Sequence, residues 1–452
     1  MKNQIVFKHE LAVYGTEAKE LGVLTKDALF WQEDGATQQL MLNDVVGTSV
    51  VDGEDKYNFS LLVHAYPNRV SSQGKQHPIL SKLRWRSPGK KQRILQEYHF
   101  TCLNRQAQFQ WHQAIANTLQ GQPIDAVFKP RHLQIIINPV SGRGQASQIF
   151  DRVRPIFDKS NLTYTVNQTK GAADTKNLVR QLDLAKVDGL VIVGGDGTIH
   201  DAIAGLMSRD DRRRAIELPL GIIPGGTANG LSKTLLEISG ESYDPLNAAF
   251  SIVKGKKQSF DLAAIEQNGT EYYSFLSLAW GLISDVDIES EKLKFLGALR
   301  FDLYALVLIS LLRTYKGRFS FIPHPDFKLN RDRLTSSRGK WQVIEDEFIF
   351  VWAMNTAWAA HDMNVTPYAQ LNDGAMDVLI MRKGTPRLEI LQALISCGKG
   401  EHLNLPHLEY YKVRAFRLEP LTNRGILVVD GEPVDYSPID LKVIPNLACV
   451  NC

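Results

Sequence analysis

Three glycine-rich turns between residues 138 and 230 limit what this chain can fold into more than any other feature. They read Asn138-Pro139-Val140-Ser141-Gly142-Arg143-Gly144, Gly194-Gly195-Asp196-Gly197-Thr198 and Pro224-Gly225-Gly226-Thr227-Ala228-Asn229-Gly230. Each ends an apolar run and opens a helical pattern, as LQIIINP does before the first and DGLVIVGG before the second. Apolar strands alternating with helices predict a parallel sheet covered on both faces, here from His132 to about Gly240. Within it ASQIFDRVRPIFDK reads as a helix kinked or interrupted near Pro155. Glycine admits positive φ and lets the backbone approach a ligand closely. Amide N–H groups and the helix dipole at such turns favour phosphate. One turn of this kind is readily structural. Three at the C-terminal ends of strands in one sheet converge on one crevice.

The middle turn carries a carboxylate between glycines. Asp196 cannot cradle phosphate, because anion repels anion. It has a proton to accept from a substrate hydroxyl, or a metal to hold by way of water. The bland alternative is that it caps the following helix, a task Thr198 could also perform.

The flanking regions read differently. Residues 1–125 are short strands punctuated by Gly, Pro, Asp and Asn, followed by an amphipathic stretch from Gln106 to Leu119. They predict a small β-barrel closed by a helix, with Gln120–Arg131 as linker to an α/β domain over 130–240. Residues 241–452 are mostly strands, with a hairpin at Asn268-Gly269. A helical insertion at about 289–314 and a helix near Arg387–Gly398 interrupt this β-sandwich-like region.

Charge and cysteine usage narrow the class. With 52 Lys and Arg against 49 Asp and Glu, the net charge of +3 argues against nucleic acid as a partner. Cys102, Cys397, Cys449 and Cys452 are too scattered for a disulfide framework or a zinc site. Asn451, not being aliphatic, spoils the last four residues as a prenylation box. The opening MKNQIVFKHEL lacks the apolar run of a signal peptide. The apolar stretch Phe301–Leu312 contains Asp302 and falls short of the roughly 20 residues that span a bilayer. These features predict a cytoplasmic protein. Lys82, Arg84, Arg86, Lys90, Lys91 and Arg93 follow one another with no acid between them. They form either a solvated strand face or a patch for anionic lipid head groups. His200, His361 and His407 lack metal-ligand spacing and read as structural or solvent-facing.

GGDGT after an apolar strand, with NPVSGRGQA upstream and PGGTANG downstream, resembles the lipid-kinase superfamily of diacylglycerol, sphingosine and ceramide kinases. Phosphofructokinases and NAD kinases share GGDG, so that element does not fix the acceptor. The second half is more specific. LSLAWGLISDVDIESEKLKFLGALRFDLYALVLISLLRTYKGR resembles the lid and acceptor segment of sphingosine kinases. VVDGEPVDYSPIDLKVIP resembles their C-terminal nucleotide-contacting strand, and AMNTAWAAHDMNVTPYAQLNDGAMDVLIMR their intervening strands. The resemblance implies a β-rich, PH-like amino-terminal module, an α/β nucleotide domain of the diacylglycerol-kinase type and a C-terminal β-sandwich that binds lipid.

The same resemblance implies roles for individual residues. Asp196 would be general base toward a lipid primary hydroxyl. Asp287 would meet the amine and hydroxyl of a sphingoid head group, with Asp285 as its rival. Asn138, Pro139, Val140, Thr169, Gly194, Gly195, Gly197, Gly226 and Thr227 would line the nucleotide. Lys294 and Arg300 would meet its phosphates, and Asp430, Gly431 and Glu432 would lie near the nucleotide and its magnesium. ATP and Mg²⁺ are the implied cofactors, with the direct metal ligands unassigned. The implied partners are a sphingoid lipid and, transiently, an anionic membrane surface; a homodimer stays open.

There are departures from the pattern. Gly194 stands where sphingosine kinases usually have Ser, and Thr227-Ala228 where they have Ser-Gly. Lys294 replaces a phosphate-binding Arg, keeping charge without the bidentate fork. Thr169-Lys170 stands for a Thr-Glu pair. Independently of the resemblance, a cationic amine needs a carboxylate at a desolvated pocket mouth, which Asp287 could supply. Phe295–Leu312 serves equally as the wall of a tunnel for an alkyl chain or as an ordinary buried helix. The rival readings are a diacylglycerol or ceramide kinase and a catalytically silent lipid- or nucleotide-binding protein.

Overall fold

The computed structural model describes residues 4–14, 21–52, 59–70, 91–290, 299–325 and 340–452. At the amino terminus, strands Ile5–Glu10, Leu21–Thr25, Ala28–Glu33 and Ala36–Met41 form one antiparallel sheet. Ala12–Val13, Gln96–Cys102, Phe59–Ala65 and Val45–Asp52 form a second. Helix α1 (Arg105–Leu119) closes them, capped by the Asn104 side chain on the Ala107 amide at 2.8 Å. Its Trp111, Ala114 and Ile115 fill the space between the sheets with Leu24, Leu61 and Phe100. Burying a side chain as large as Leu or Phe stabilises the fold by about 1.5–3 kcal/mol, so this core gives the module its coherence.

The middle of the chain forms the expected parallel sheet, in the order Leu162–Gln168, Arg131–Ile137, Gly189–Gly194, Leu220–Pro224. Between and beyond these strands run α2 (Ala146–Asp158), α3 (Ala172–Arg180), α4 (Asp196–Met207), the short α5 (Arg212–Ala215), α6 (Gly230–Ile238) and α7 (Pro245–Lys254). Ile135, Ile136, Val191, Ile192 and Ile223 are buried, because helices cover both sheet faces. Pro155 does not interrupt α2. It lies in the last turn, and the helix runs on to Asp158. Asp244 caps α7 through the Leu246 amide at 2.8 Å, and Pro245 occupies its first turn. Phe250, Ile252 and Val253 of α7 pack with Phe150 and Ile156 of α2 against the same sheet.

The carboxy-terminal strand Ile439–Asn451 pairs in parallel with Leu220–Pro224 at Val450, so the sheet continues into the last domain. There Tyr315–Pro323, Gln342–Met354, Met376–Arg382 and Leu408–Pro420 each pair with two of the others and close a ring. Trp280, Phe319, Phe321, Phe348 and Phe416 form its core. The helical insertion begins earlier than expected. Gly281, at φ 84°, ends the strand Ser277–Gly281 and opens α8 (Leu282–Glu289) directly. Helices α9 (Leu299–Leu311) and α10 (Arg387–Ser396) pack beside it, through Leu282, Leu308, Ile309, Ile390 and Ala393. Lys294 lies outside the described residues. Among those described, no helix is long and apolar enough to cross a membrane.

The amino-terminal module is docked on α2 and α7. Lys254 Nζ donates to the carbonyls of Leu42 and Val45 at 2.8 and 2.9 Å, and its burial lowers its pKa to about 8. The Asn161 side chain exchanges two hydrogen bonds of 2.9 Å with the Thr48 backbone. Arg93 corrects an expectation. It is not part of an exposed basic face but is buried in this junction, paired with Asp44 at 3.0 Å and Glu241 at 2.5 Å. Lys82, Arg84, Arg86 and Lys90 lie outside the described residues.

Candidate active site

The three glycine-rich turns meet at the C-terminal edge of the parallel sheet. A Cβ at Gly142, where φ is 59°, would lie 2.6 Å from the Gly225 carbonyl oxygen. A Cβ at Gly195 would lie 2.9 Å from the Gly226 Cα. Both spacings exclude a side chain, so close approach of the turns requires glycine at these two positions. Asn138 ties the first turn to the second: its amide donates to Val193 O at 3.1 Å and its Nδ2 to Thr198 Oγ1 at 3.0 Å. The third turn is closed by Asn229. Its Oδ1 accepts from the Gly226 amide at 2.9 Å, its Nδ2 donates to Gly226 O at 2.8 Å, and its φ of 58° is one Asn tolerates.

Asp196 does cap a helix, but not its own. Gly195 is the N-cap residue of α4, with no side-chain cap. The Asp196 Oδ2 instead accepts from the Gly230 amide at 3.1 Å, at the start of α6. Its other oxygen, Oδ1, is buried without a hydrogen-bond partner. Burial raises the carboxyl pKa to about 6, against the lowering effect of the backbone amides of Gly230, Leu231 and Asn229. The charge of Asp430 adds to the rise. This is a carboxylate poised near neutral pH with one free acceptor atom, as proton abstraction requires.

Thr169 directly follows the neighbouring strand Leu162–Gln168. Its amide donates to Ile137 O at 2.9 Å, while its hydroxyl is buried and unpartnered. Pro139 is half-buried, and Val140 and Thr227 are exposed at the rim. Gly194 packs on Thr198, and Gly197 lies close to the Glu432 carboxylate, whose Oε1 is 3.3 Å from where a Cβ would stand.

Asp430 and Glu432, two residues apart, lead different lives. Asp430 is 2% exposed, at a φ of 52°. Its Oδ1 accepts from Ser274 Oγ at 2.7 Å and from the amides of Leu276 and Ser277 at 2.9 and 3.0 Å. Its Oδ2 accepts from the Phe275 amide at 3.1 Å and lies 2.9 Å from His200 Nδ1. A carboxylate so committed fastens the hairpin of Leu427–Val429 and Glu432–Val434 to α4. Glu432, on the exposed side of that hairpin, is the carboxylate of the pair with its surface open to solvent. Burial pulls the His200 pKa down, but the hydrogen bond and charge of Asp430 outweigh it and raise it. His200 stands one helical turn after Asp196 and was legible only as a structural histidine.

On α8, Asp285 and Asp287 point to different faces, as residues two apart on a helix must. Asp285 is 1% exposed; it accepts from the Tyr315 hydroxyl and lies 3.5 Å from Arg313 Nη1. Burial raises its pKa. Asp287 is half-buried. Glu289 accepts from Tyr304 Oη at 2.7 Å and Arg313 Nη1 at 2.9 Å. The strand Ser277–Gly281 links the two regions: its first residue lies beside Asp430 and its last opens α8. Arg300 lies in the first turn of α9. Among the described residues, no cluster of three or more His, Cys, Asp or Glu is arranged to hold a metal ion.

Known proteins resemble this chain across both its α/β and its C-terminal domain. Residues 132–265 match the diacylglycerol kinase catalytic domain, and residues 337–451 the YegS C-terminal NAD kinase beta sandwich-like domain. Sphingosine kinase 1 of Arabidopsis thaliana is 36% identical over 340 residues, 69% of this chain and 70% of that protein. Sphingosine kinase 1 of Homo sapiens is 31% identical over 353 residues, 72% of this chain and 92% of that protein. Sphingoid long chain base kinase 4 of Schizosaccharomyces pombe is 30% identical over 346 residues, 71% of this chain and 74% of that protein. In fold, the chain is similar to a diacylglycerol kinase crystal structure from Bacillus anthracis, with a TM-score of 0.51 at 20% identity. That similarity covers 72% of this chain and 98% of the other. The chain belongs to the sphingosine kinase family.

Proposed function

We propose that this chain transfers the γ-phosphate of ATP to the primary hydroxyl of a sphingoid base, with Asp196 as general base. The observation that carries the reading is the buried, unpartnered Oδ1 of Asp196 at the meeting point of three glycine-rich turns. In the transfer, the lipid oxygen forms a bond to the γ-phosphorus while the bond from that phosphorus to the β–γ bridging oxygen breaks. The hydroxyl proton passes to Asp196 Oδ1, and ADP leaves with the bridging oxygen. Phosphoryl transfer depends on positioning and charge stabilisation, so the remaining residues hold and orient. The N–H groups of the turns cradle phosphate, and the unpartnered Thr169 hydroxyl is a further donor at the same edge. Lys294 and Arg300 supply positive charge to the phosphates. Magnesium supplies charge neutralisation there, and Glu432 is the carboxylate beside Gly197 fitted to hold it.

Asp287 is the partner we assign to the sphingoid amine, because it keeps accessible surface on α8 whereas Asp285 is 1% exposed. Two sheets and a closing helix support reading the amino-terminal module as PH-like. The C-terminal sandwich holds the lipid, and the enzyme visits the membrane reversibly to collect it. Exposed Leu306, Val307 and Leu311 on α9 support that visit. Replacing the base tests the reading. Asp196→Asn should lower kcat by at least about 100-fold while nucleotide affinity and thermal stability hold. Turnover within a few-fold of the parent would remove Asp196 from the chemistry.

A further inference from the structure

The segment Glu241–Asp244 joins α6 to α7, and its ends are pinned. Glu241 Oε1 accepts from Arg93 Nη2 and Nε at 2.5 and 3.1 Å, and both side chains are 7% exposed. The guanidinium lies 3.4 Å above the Phe250 ring and also donates to Tyr66 O at 2.5 Å. At the other end both Asp244 oxygens accept from Arg152 Nη2 at 3.0 Å. Ser242 O accepts from Asn247 Nδ2 at 2.8 Å.

Tyr243 stands between these pins. Its ring stacks on His361, with centroids 5.3 Å apart and planes 16° from parallel. His361 belongs to the C-terminal domain, beside the short strand Trp358–Ala360, and its amide donates to Ala228 O of the third turn at 2.9 Å. Through that bond the stack bears on the turn that carries Asn229. One side chain is thus held by the amino-terminal module, stacked on the C-terminal domain and applied to the turn that carries Asn229.

We propose that Tyr243 is a positioning residue for the phosphoryl-transfer site, set in place by the amino-terminal module through the Arg93–Glu241 pair and by the C-terminal domain through His361. The inference rests on the reading of Asp196 as base. Asn229 holds Gly226 on both its N–H and its C=O, and the next residue, Gly230, bonds Asp196. A shift of Tyr243 therefore reaches the third turn and the Asp196 carboxylate. Misplacement on the scale of 1 Å costs up to about 100-fold in rate.

The test uses the full chain with ATP and sphingosine, at a temperature where thermal unfolding shows every variant folded. Tyr243→Ala should lower kcat by about 10-fold or more, with a smaller change in KM for ATP. Glu241→Gln, of nearly the same shape, should lower kcat by about three-fold, and the double variant should be no slower than Tyr243→Ala alone. Tyr243→Ala with a lowered Tm but the parent's kcat would overturn the proposal and leave Tyr243 a structural pin. Multiplying losses in the double variant, or an unaffected Glu241→Gln, would overturn the link to the amino-terminal module. All these chains keep Asp196, so an active Asp196→Asn sinks the base assignment separately.

Discussion

Asp196 Oδ2 accepts a hydrogen bond from the Gly230 amide at 3.1 Å, so the carboxylate that opens α4 caps α6. Two of the three glycine-rich turns are thereby locked through one side chain. The bond orients the carboxylate and leaves Oδ1 buried without a partner. The residue pattern sets capping and proton acceptance against each other; Oδ2 does the capping, and the proposed function gives proton acceptance to Oδ1.

The pKa of about 6 at Asp196 makes a pH prediction. Burial favours the neutral form, and the base must be ionised to act. Activity is then fully present above the raised pKa and is lost as pH falls through it. A plot of log kcat/KM for the lipid should fall with unit slope below about pH 6, since kcat/KM reports the free enzyme. A profile flat down to the ordinary carboxylate range would contradict the burial of this group.

Asp430 should behave as a fastening rather than a ligand. Asn in its place retains one acceptor oxygen and turns an NH₂ toward groups that now donate to Oδ2, the Phe275 amide and His200. Asp430→Asn should destabilise the chain by about 2–4 kcal/mol in denaturant unfolding. Stability equal to the parent's, with activity lost, would return Asp430 to the metal or nucleotide.

The two carboxylates on α8 should separate by kinetics. Asp287→Asn should lower kcat/KM for sphingosine by about 10-fold or more through loss of the charge partner of the amine. Asp285→Asn should mainly lower stability, by about 1–3 kcal/mol, because its partners are Tyr315 and Arg313. If Asp285→Asn alone were crippling in a stably folded chain, the head-group assignment would pass to Asp285.

What could be read from the residues alone follows a physical division. The glycine turns were legible because positive φ and close backbone approach are local demands that few residues meet, as at Gly142 and Gly195. The last domain was legible as mostly strands, with its hairpin at Asn268-Gly269, but the ring they close was not. The start of α8 was signalled by Gly281 but read too late, since a glycine in an apolar run marks a break without saying which element follows. The role of Arg93 was not legible. Among basic neighbours it reads as a strand face, and only the tertiary fold brings Glu241 to it. The same holds for Asp430 with His200 and for Tyr243 with His361: each pair joins residues more than a hundred positions apart. Such partners carry no local pattern.

The central claim is that a diacylglycerol-kinase-type crevice here serves a sphingoid acceptor through Asp196. A labelled-ATP assay of the full chain on sphingosine, ceramide and diacylglycerol, run with the parent and with Asp196→Asn, tests it most directly. The account predicts label on sphingosine well above the other two lipids, and none with Asp196→Asn. Comparable labelling of diacylglycerol, or an Asp196→Asn chain that still labels sphingosine, would contradict it.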